Sequence, residues 1–212
     1  MTGLPAGLLF DLDGVLVDST TDVVRHWQTF ANEHRLDPAH VLAQIHGRRA
    51  IDSIRELLAD RPPAEIEAAA IRHEQRELAE INGTIALPGA AQLLARLDGR
   101  QWAIVTSAPA ALAAARLRAA GLPQPKVLVS AEHVERGKPD PQGYALAAAR
   151  LALPPARCAV FEDAPAGIVA ARAAGMRVVA LATTHTAAQL RAAVGELEWI
   201  VADLRELAQT LP

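Results

Sequence analysis

Short runs of apolar residues recur along the chain and are separated by longer stretches with a helical pattern. The short runs are rich in large aliphatic and β-branched side chains, which are typical of buried strands. Because helical stretches separate most of them, the pattern predicts an α/β fold in which a parallel sheet is doubly wound with helices. The predicted strands are residues 7–10, 102–105, 127–129, 158–161, 178–181 and 199–201.

The interval after the first predicted strand breaks this pattern, because no strand-like run occurs before Pro88-Gly89. We expect residues 17–85 to form a helical cap domain. This cap is inserted into an α/β core made of residues 1–16 and 86–212. The hinges between cap and core are expected near residues 15–19 and 83–87. A lid of this kind favours a site that closes on a small ligand and excludes water. The predicted cap helices are residues 21–34, 38–46, 51–59 and 64–80.

Composition excludes several classes of protein. The 212 residues are 51% hydrophobic, enough for one core with an insertion, and the net charge of −3 does not suit a nucleic-acid binder. Cys158 is the only cysteine, which fits a reducing compartment. We see neither a basic signal-peptide segment nor an apolar run of about 18 residues that could cross a membrane. We therefore expect a cytoplasmic protein, monomeric and without a nucleic-acid or membrane partner.

Two aspartates, Asp11 and Asp13, follow the first predicted strand directly. The carboxyl ends of strands in open α/β sheets are where ligands bind. Carboxylates at this spacing can hold a hard cation, or divide the roles of nucleophile and acid–base group. The alternative is a solvated turn, because Asp13-Gly14 is also a common turn pair.

Polar residues also follow other predicted strands. Ser107 follows the second, Lys138 lies in a loop after the third, and Glu162-Asp163 follows the fourth. Taken singly, these residues could be a helix cap, an ordinary loop cation and a solvated turn. The ends of parallel strands share one edge of the sheet, so the groups can converge although they are far apart in sequence.

Phosphoryl transfer through a carboxylate is the chemistry that uses this set of groups. Asp11 would attack phosphorus to form an aspartyl phosphate, and Mg²⁺ would neutralise the charge that opposes this attack. Ser107 and Lys138 would bind the phosphoryl oxygens. Asp13 would protonate the leaving alkoxide and then activate water.

Four segments, in order, resemble the motifs of the haloacid dehalogenase-like superfamily: FDLDGVLVDS, VTS, RGKPDP and FEDAPAGI. The helical insertion resembles the cap of the beta-phosphoglucomutase-like group. Within that group, residues 45–47, 50–51, 86–90 and 102–107 are similar to bacterial sugar phosphatases and yeast-type glycerol-3-phosphatases. The resemblance implies a Mg²⁺-dependent phosphatase whose partner is a small-molecule phosphate ester, a phosphorylated sugar or polyol.

The resemblance also implies roles for individual residues. Asp11 and Asp163 would bind Mg²⁺ through their side chains and Asp13 through its backbone carbonyl, while Glu162 would orient a metal-bound water. Arg48 and Arg49 stand at a cap position where the group is expected to have Lys and a polar amide. The expected phosphate- and substrate-binding residues are Gly14, Arg48, Arg49, Ser107, Ala108 and Lys138.

The main alternative is a phosphomutase with the same cap. Mutases of the group carry a His ten residues after the second Asp, where this chain has Val23. The nearest alternative, His26, lies about 4.5 Å further along a helix, so we predict a phosphatase. A dehalogenase would need neither Asp13 nor a metal pair at Glu162-Asp163, and a phospho-accepting receiver module would not need the helical insertion.

Overall fold

A computed structural model describes residues 5–97 and 101–210. Its main sheet has six parallel strands in the order β5-β4-β1-β6-β7-β8, which confirms the predicted fold class. The ends of the six predicted strands differ from the observed ends by one residue at most. The strands are β1 Gly7–Phe10, β2 Val17–Asp18, β3 Ile85–Ala86, β4 Gln101–Val105, β5 Leu128–Val129, β6 Cys158–Glu162, β7 Arg177–Leu181 and β8 Trp199–Val201.

The second predicted cap helix is shorter than expected, because it ends at Leu42 rather than at residue 46. Ala43 is the C-cap of this helix, and the chain continues through turns to Gly47, whose φ of 74° is left-handed. None of the described helices is long and apolar enough to cross a membrane. The helices are α1 Thr20–His34, α2 Pro38–Leu42, α3 Ala50–Leu57, α4 Pro63–Ala79, α5 Ala90–Ala95, α6 Ala110–Ala119, α7 Gln142–Arg150, α8 Pro165–Ala173, α9 Ala187–Val194 and α10 Arg205–Thr210.

Both faces of the main sheet are buried, as expected for parallel strands covered by helices. Leu8, Phe10 and Phe161 contribute to a core cluster on one face together with α5, α6 and α10. Leu9 and Val160 contribute to a second cluster on the other face together with α7, α8 and α9. Successive residues of β1 therefore point into opposite layers, which explains why this strand has a continuous apolar sequence.

Helices α1–α4 enclose a separate apolar cluster that includes Trp27 and Phe30. They join the core through a neck in which β2 and β3 pair antiparallel, Val17 opposite Ala86. The expectation of no strand in this interval was therefore wrong. A two-residue strand is too short to show an alternating pattern, so the sequence predicted only hinges, which lie at this neck.

Strand β1 lies at the centre of the sheet, with β4 on one side and β6 on the other. The connection from β1 leads to β4, whereas β6 is followed by β7 on the opposite side. This reversal of direction opens a crevice at the carboxyl ends of β1 and β6, where ligands bind in open α/β sheets. The residues that follow these two strands are Asp11 and Asp163.

Candidate active site

Asp11 lies at the floor of the crevice. Its backbone N–H donates to the Phe161 carbonyl at 3.0 Å, so the pairing of β1 with β6 extends to this residue. Its side chain is buried, and Oδ1 lies 2.8 Å from Nζ of Lys138. Burial raises the pKa of Asp11 to about 7, although the neighbouring ammonium acts in the opposite direction. Its proton affinity therefore depends on the cations around it.

Lys138 is shared between two carboxylates. Its Nζ lies 2.8 Å from Asp11 Oδ1 and 2.6 Å from Glu162 Oε1, and 5.2 Å from the centre of the Tyr144 ring. Burial opposes its charge, but the two carboxylates outweigh burial and raise the pKa of Lys138 above its ordinary value. The ammonium is thus held charged at the point where the sequence predicts a phosphate-binding lysine.

Glu162 makes four hydrogen bonds to protein donors. Oε1 accepts from Lys138 Nζ and the Tyr144 hydroxyl, and Oε2 accepts from the backbone N–H groups of Asp163 and Ala164. Glu162 therefore holds Lys138 and the turn after β6, and its donors occupy the roughly four lone-pair sites that a carboxylate offers. Its expected contact with a metal-bound water stays a prediction.

Gly167 makes this arrangement possible. A Cβ at residue 167 would lie 1.6 Å from Oε1 of Glu162, so any other residue would displace the carboxylate. The glycine of the fourth motif therefore provides space on helix α8 for the side chain that fixes Lys138.

The carboxylates of Asp11, Glu162 and Asp163 form a cluster whose candidate ligand atoms all lie within 4.8 Å of one another. With Glu162 saturated, Asp11 and Asp163 remain to hold a cation. Oδ2 of Asp163 accepts from Thr184, whereas its buried Oδ1 has no hydrogen-bond partner among the described residues. Burial raises the pKa of Asp163 well above its ordinary value, and the charges of Glu162 and Asp11 add to this effect.

The cluster has more carboxylates than ammonium groups, and one buried carboxylate oxygen lacks a hydrogen-bond donor in the part of the chain that the structure describes. Both features fit the binding of a hard divalent cation, which prefers oxygen ligands. The side-chain ligands expected from the sequence, Asp11 and Asp163, therefore suit such an ion.

Asp13 turns its carboxylate away from this cluster. Oδ1 accepts from the Ser19 hydroxyl at 2.6 Å and Oδ2 from Arg116 at 3.0 Å. The turn depends on Gly14, whose φ is 81° and whose Cβ, if present, would lie 2.1 Å from Oδ2 of Asp163. The side chain of Asp13 is thus separate from the nucleophile, as an acid–base group must be. Its backbone contact with a metal stays a prediction.

The expected phosphate-binding groups Ser107 and Ala108 line the cleft together with Gly14, and both already have partners within the protein. The Ser107 hydroxyl donates to the carbonyl of Gly47 in the cap at 2.9 Å. The backbone N–H of Ala108 donates to Thr106 Oγ1 at 3.0 Å. A phosphoryl oxygen would therefore compete with Gly47 for Ser107.

The two consecutive arginines of the cap point to different places. Arg48 lines the cleft and forms a two-point ion pair with Glu56. Arg49 instead donates to the carbonyls of Val134 and Glu135 in the core, each at 3.0 Å. Arg49 therefore lies at the junction of cap and core, where it lines a small pocket beside the cleft together with Ser107 and Lys138.

Sequence reasoning assigned no site role to four residues that touch this constellation, one of which is Ser19, whose hydroxyl binds Asp13. Tyr144 and Thr184 hydrogen-bond to Glu162 and Asp163, and Arg116 bonds to Asp13 from helix α6. Thr184 closely follows a predicted strand, so the strand-end argument could have found it. Arg116 lies in an alanine-rich helix, and no sequence motif distinguishes it from the other arginines. Tyr144 is the only tyrosine of the sequence, but it lies outside the four motifs.

The roof of the cleft comes from the first cap helix. Val23 and Trp27 line it, whereas His26 is not among the lining residues that the structure describes. His26 is buried and contacts Arg25 and Glu80. The position ten residues after Asp13 therefore presents an aliphatic side chain to the cleft.

Residues 5–175 match the family model of haloacid dehalogenase-like hydrolases. The chain belongs to this family. This haloacid dehalogenase-like hydrolase is 50% identical over 177 residues to hexitol phosphatase A of Escherichia coli, with 82% of each chain covered. It is 32% identical over 189 residues to glycerol-1-phosphate phosphohydrolase 2 of Saccharomyces cerevisiae, covering 83% of this chain and 74% of the relative.

A solved hydrolase from Pseudomonas syringae matches the hydrolase described here with a TM-score of 0.84, at 26% identity and over 97% of both chains. The family and the fold expected from the four motifs are thus confirmed.

Proposed function

We propose that this protein is a Mg²⁺-dependent phosphatase that hydrolyses a small phosphorylated sugar or polyol through an aspartyl phosphate at Asp11. The observation that carries the proposal is that Asp11 contacts the ammonium of Lys138 and clusters with Asp163, whose buried Oδ1 has no partner among the described residues. The names of the two relatives, a hexitol phosphatase and a glycerol-1-phosphate phosphohydrolase, support the substrate class.

In this proposal each group has a defined role. A Mg²⁺ ion, when bound at Asp11 and Asp163, neutralises the charge between the nucleophile and the anionic phosphate. Asp11 forms a bond to phosphorus while the bond to the leaving oxygen breaks, and Asp13 gives that oxygen its proton. Lys138 stabilises the developing charge on the phosphoryl group. Asp13, now a base, then activates the water that releases inorganic phosphate.

The cap residues 17–85 are proposed to supply substrate recognition, and the core residues 1–16 and 86–212 the chemistry. Trp27 and Arg48 both line the cleft from the cap side. The flat indole suits a carbon chain and the guanidinium suits its hydroxyl groups. We also propose that the enzyme acts as a monomer, because one chain provides every group named here. A cytoplasmic location is proposed because the single cysteine fits a reducing compartment.

Phosphate release is favoured over return of the phosphoryl group to a sugar. A mutase must hold off water until a sugar hydroxyl arrives, and the site places Val23 where a proton-transferring His would be needed. To test this, the enzyme is incubated with a sugar 1-phosphate and a catalytic amount of the bisphosphate, and phosphorus is followed by NMR. Free phosphate is expected; accumulation of the isomeric sugar phosphate without free phosphate would overturn the assignment.

The substrate class is tested with a panel that contains sorbitol 6-phosphate, mannitol 1-phosphate, glycerol 1-phosphate and fructose 1-phosphate. Phosphate release is measured with Mg²⁺, and kcat/KM values are compared. Asp11→Asn protein, purified in parallel, controls for contaminating phosphatases. Rapid release from at least one polyol phosphate is expected, and no release from any member of the panel would contradict the proposed class.

A further inference from the structure

Arg116 is a buried arginine that joins the core to the cap beside the cleft. One guanidinium nitrogen lies 3.0 Å from Oδ2 of Asp13, and another lies 3.0 Å from Oε1 of Glu77. The side chain of Arg116 is only 5% exposed and that of Glu77 only 8%. Asp13 follows β1 of the core, whereas Glu77 belongs to α4 of the cap. A single side chain therefore links the carboxylate assigned to proton transfer with the cap.

The two oxygens of Asp13 are held from two directions. The Ser19 hydroxyl, at the start of α1, binds Oδ1 at 2.6 Å, and Arg116 binds Oδ2. A carboxylate fixed at both oxygens keeps one orientation, which proton transfer to a defined leaving oxygen requires. If the cap moves away about the β2–β3 neck, Glu77 leaves Arg116, and the guanidinium loses the partner that holds it against Asp13.

A purely structural ion pair is the alternative explanation. Burying an arginine between two carboxylates carries a large desolvation cost, and well-packed apolar residues hold two helices together at least as well. Arg116 also lines the cleft, where a group that acts on the reaction would have to be. Stability alone therefore gives little reason for a charged triad at this place.

We propose that Arg116 is a positioning residue that orients Asp13 for proton transfer, and that Glu77 makes this orientation depend on closure of the cap. This inference rests on the proposed function, because that function assigns the proton transfer to Asp13. In the step concerned, the bond from phosphorus to the leaving oxygen breaks, Asp11 bonds to phosphorus, and the Asp13 proton moves to the leaving oxygen. No further reactant takes part.

The leaving group provides the test. The alkoxide of a polyol is a strong base and needs the proton of Asp13, whereas p-nitrophenolate leaves without one. Misplacing a catalytic group by about 1 Å can cost on the order of 10²-fold. We therefore expect Arg116→Lys to lose about that factor in kcat/KM with a polyol phosphate and much less with p-nitrophenyl phosphate. The ratio kcat/KM is used because it reports the steps up to the phosphoenzyme.

The polyol substrate is sorbitol 6-phosphate or glycerol 1-phosphate, whichever wild-type enzyme hydrolyses faster. Arg116→Lys keeps the charge but cannot bridge both carboxylates in the same way. Glu77→Gln leaves the Asp13–Arg116 contact in place and weakens only the link to the cap, so the same selective loss is expected with a smaller size. Arg118→Met, an exposed arginine on the same helix, is the matched control. Thermal melting shows which variants are folded.

The outcomes separate the two proposals. Selective loss with the polyol phosphate supports the inference. Equal loss with both substrates in folded Arg116→Lys would overturn it, and an unchanged Glu77→Gln would overturn the dependence on the cap. If Arg116→Lys fails to fold, the comparison of Glu77→Gln with wild type decides in the same way. If wild-type enzyme hydrolyses neither p-nitrophenyl phosphate nor any member of the substrate panel, the proposed function itself fails.

Discussion

Lys138 carries the positive charge on which three buried carboxylates depend, so its removal has a calculable effect. Methionine keeps most of the side-chain volume but leaves Asp11 and Glu162 without the ammonium at 2.8 and 2.6 Å. Breaking a buried ion pair by removing one partner costs about 3–5 kcal/mol. At about 2–4 °C per kcal/mol for a domain of this size, we expect Lys138→Met to lower the Tm of metal-free protein by about 6–20 °C.

The size of this loss should depend on pH through Asp11. Burial raises the pKa of Asp11 from 3.8 to about 7, against the attraction of Lys138. Folded protein therefore keeps a proton that unfolded protein releases, and the stability linked to that proton is full at low pH and lost as pH rises through about 7. Above that pH the ionised Asp11 needs the ammonium most. Removing the ammonium raises the pKa of Asp11 further, so the variant takes up this proton at a higher pH than wild type. The difference in Tm should therefore shrink as pH falls towards about 7 and stay constant below it.

The assay is thermal melting at pH values below and above about 7. Excess chelator is present, because a bound cation would itself neutralise the negative charge of the carboxylates. The matched control is Lys126→Met, since Lys126 is the other lysine of the sequence and is exposed. It should melt like wild type. A Lys138→Met protein that also melts like wild type above pH 7 would refute the buried ion pair and, with it, the charge balance described for the site.

Four further results are expected. Asp11→Asn should stay folded but show neither turnover nor a phosphoenzyme; appreciable hydrolysis by the pure variant would remove Asp11 as the nucleophile. Lys138→Arg should lose on the order of 10²-fold in kcat/KM, because a planar guanidinium does not fit the space of an ammonium. Near-normal kinetics would contradict a specific role of the Lys138 ammonium at the phosphoryl group. Asp163→Asn should bind Mg²⁺ more weakly by calorimetry, and unchanged affinity would place the ion elsewhere. A chelator should stop the reaction, and added Mg²⁺ should restore it. Ca²⁺ should inhibit it, because this ion takes more ligands at longer distances. Full activity in excess chelator would contradict the metal proposal.

The convergence of Asp11, Lys138 and Asp163 could be predicted from the sequence because it follows from topology. Parallel strands end at one edge of a sheet, so carboxylates placed after β1 and β6 must meet there whatever the details of packing. The same argument placed Ser107 beside them. Strand periodicity and strand ends are local signals, and they sufficed for the core of the site.

Side-chain direction across the boundary between cap and core could not be predicted in this way. Arg48 and Arg49 are neighbours in sequence, yet one lines the cleft and the other binds carbonyls of the core. The partners of Arg116 come from the turn after β1 and from helix α4, and no sequence pattern relates them. Such contacts depend on how the cap sits on the core, which is a property of tertiary packing.

The neck between cap and core has a consequence for the diversification of this enzyme. The chain leaves the core and returns to it at adjacent points, where Val17 pairs with Ala86 and the Leu87 N–H donates to the Leu16 carbonyl at 3.0 Å. A different insert can be spliced between these points without altering the order of the main strands. Recombination at the neck would exchange the surface that we propose selects substrates and leave the phosphate chemistry intact, so that a new specificity can arise by the transfer of one continuous segment.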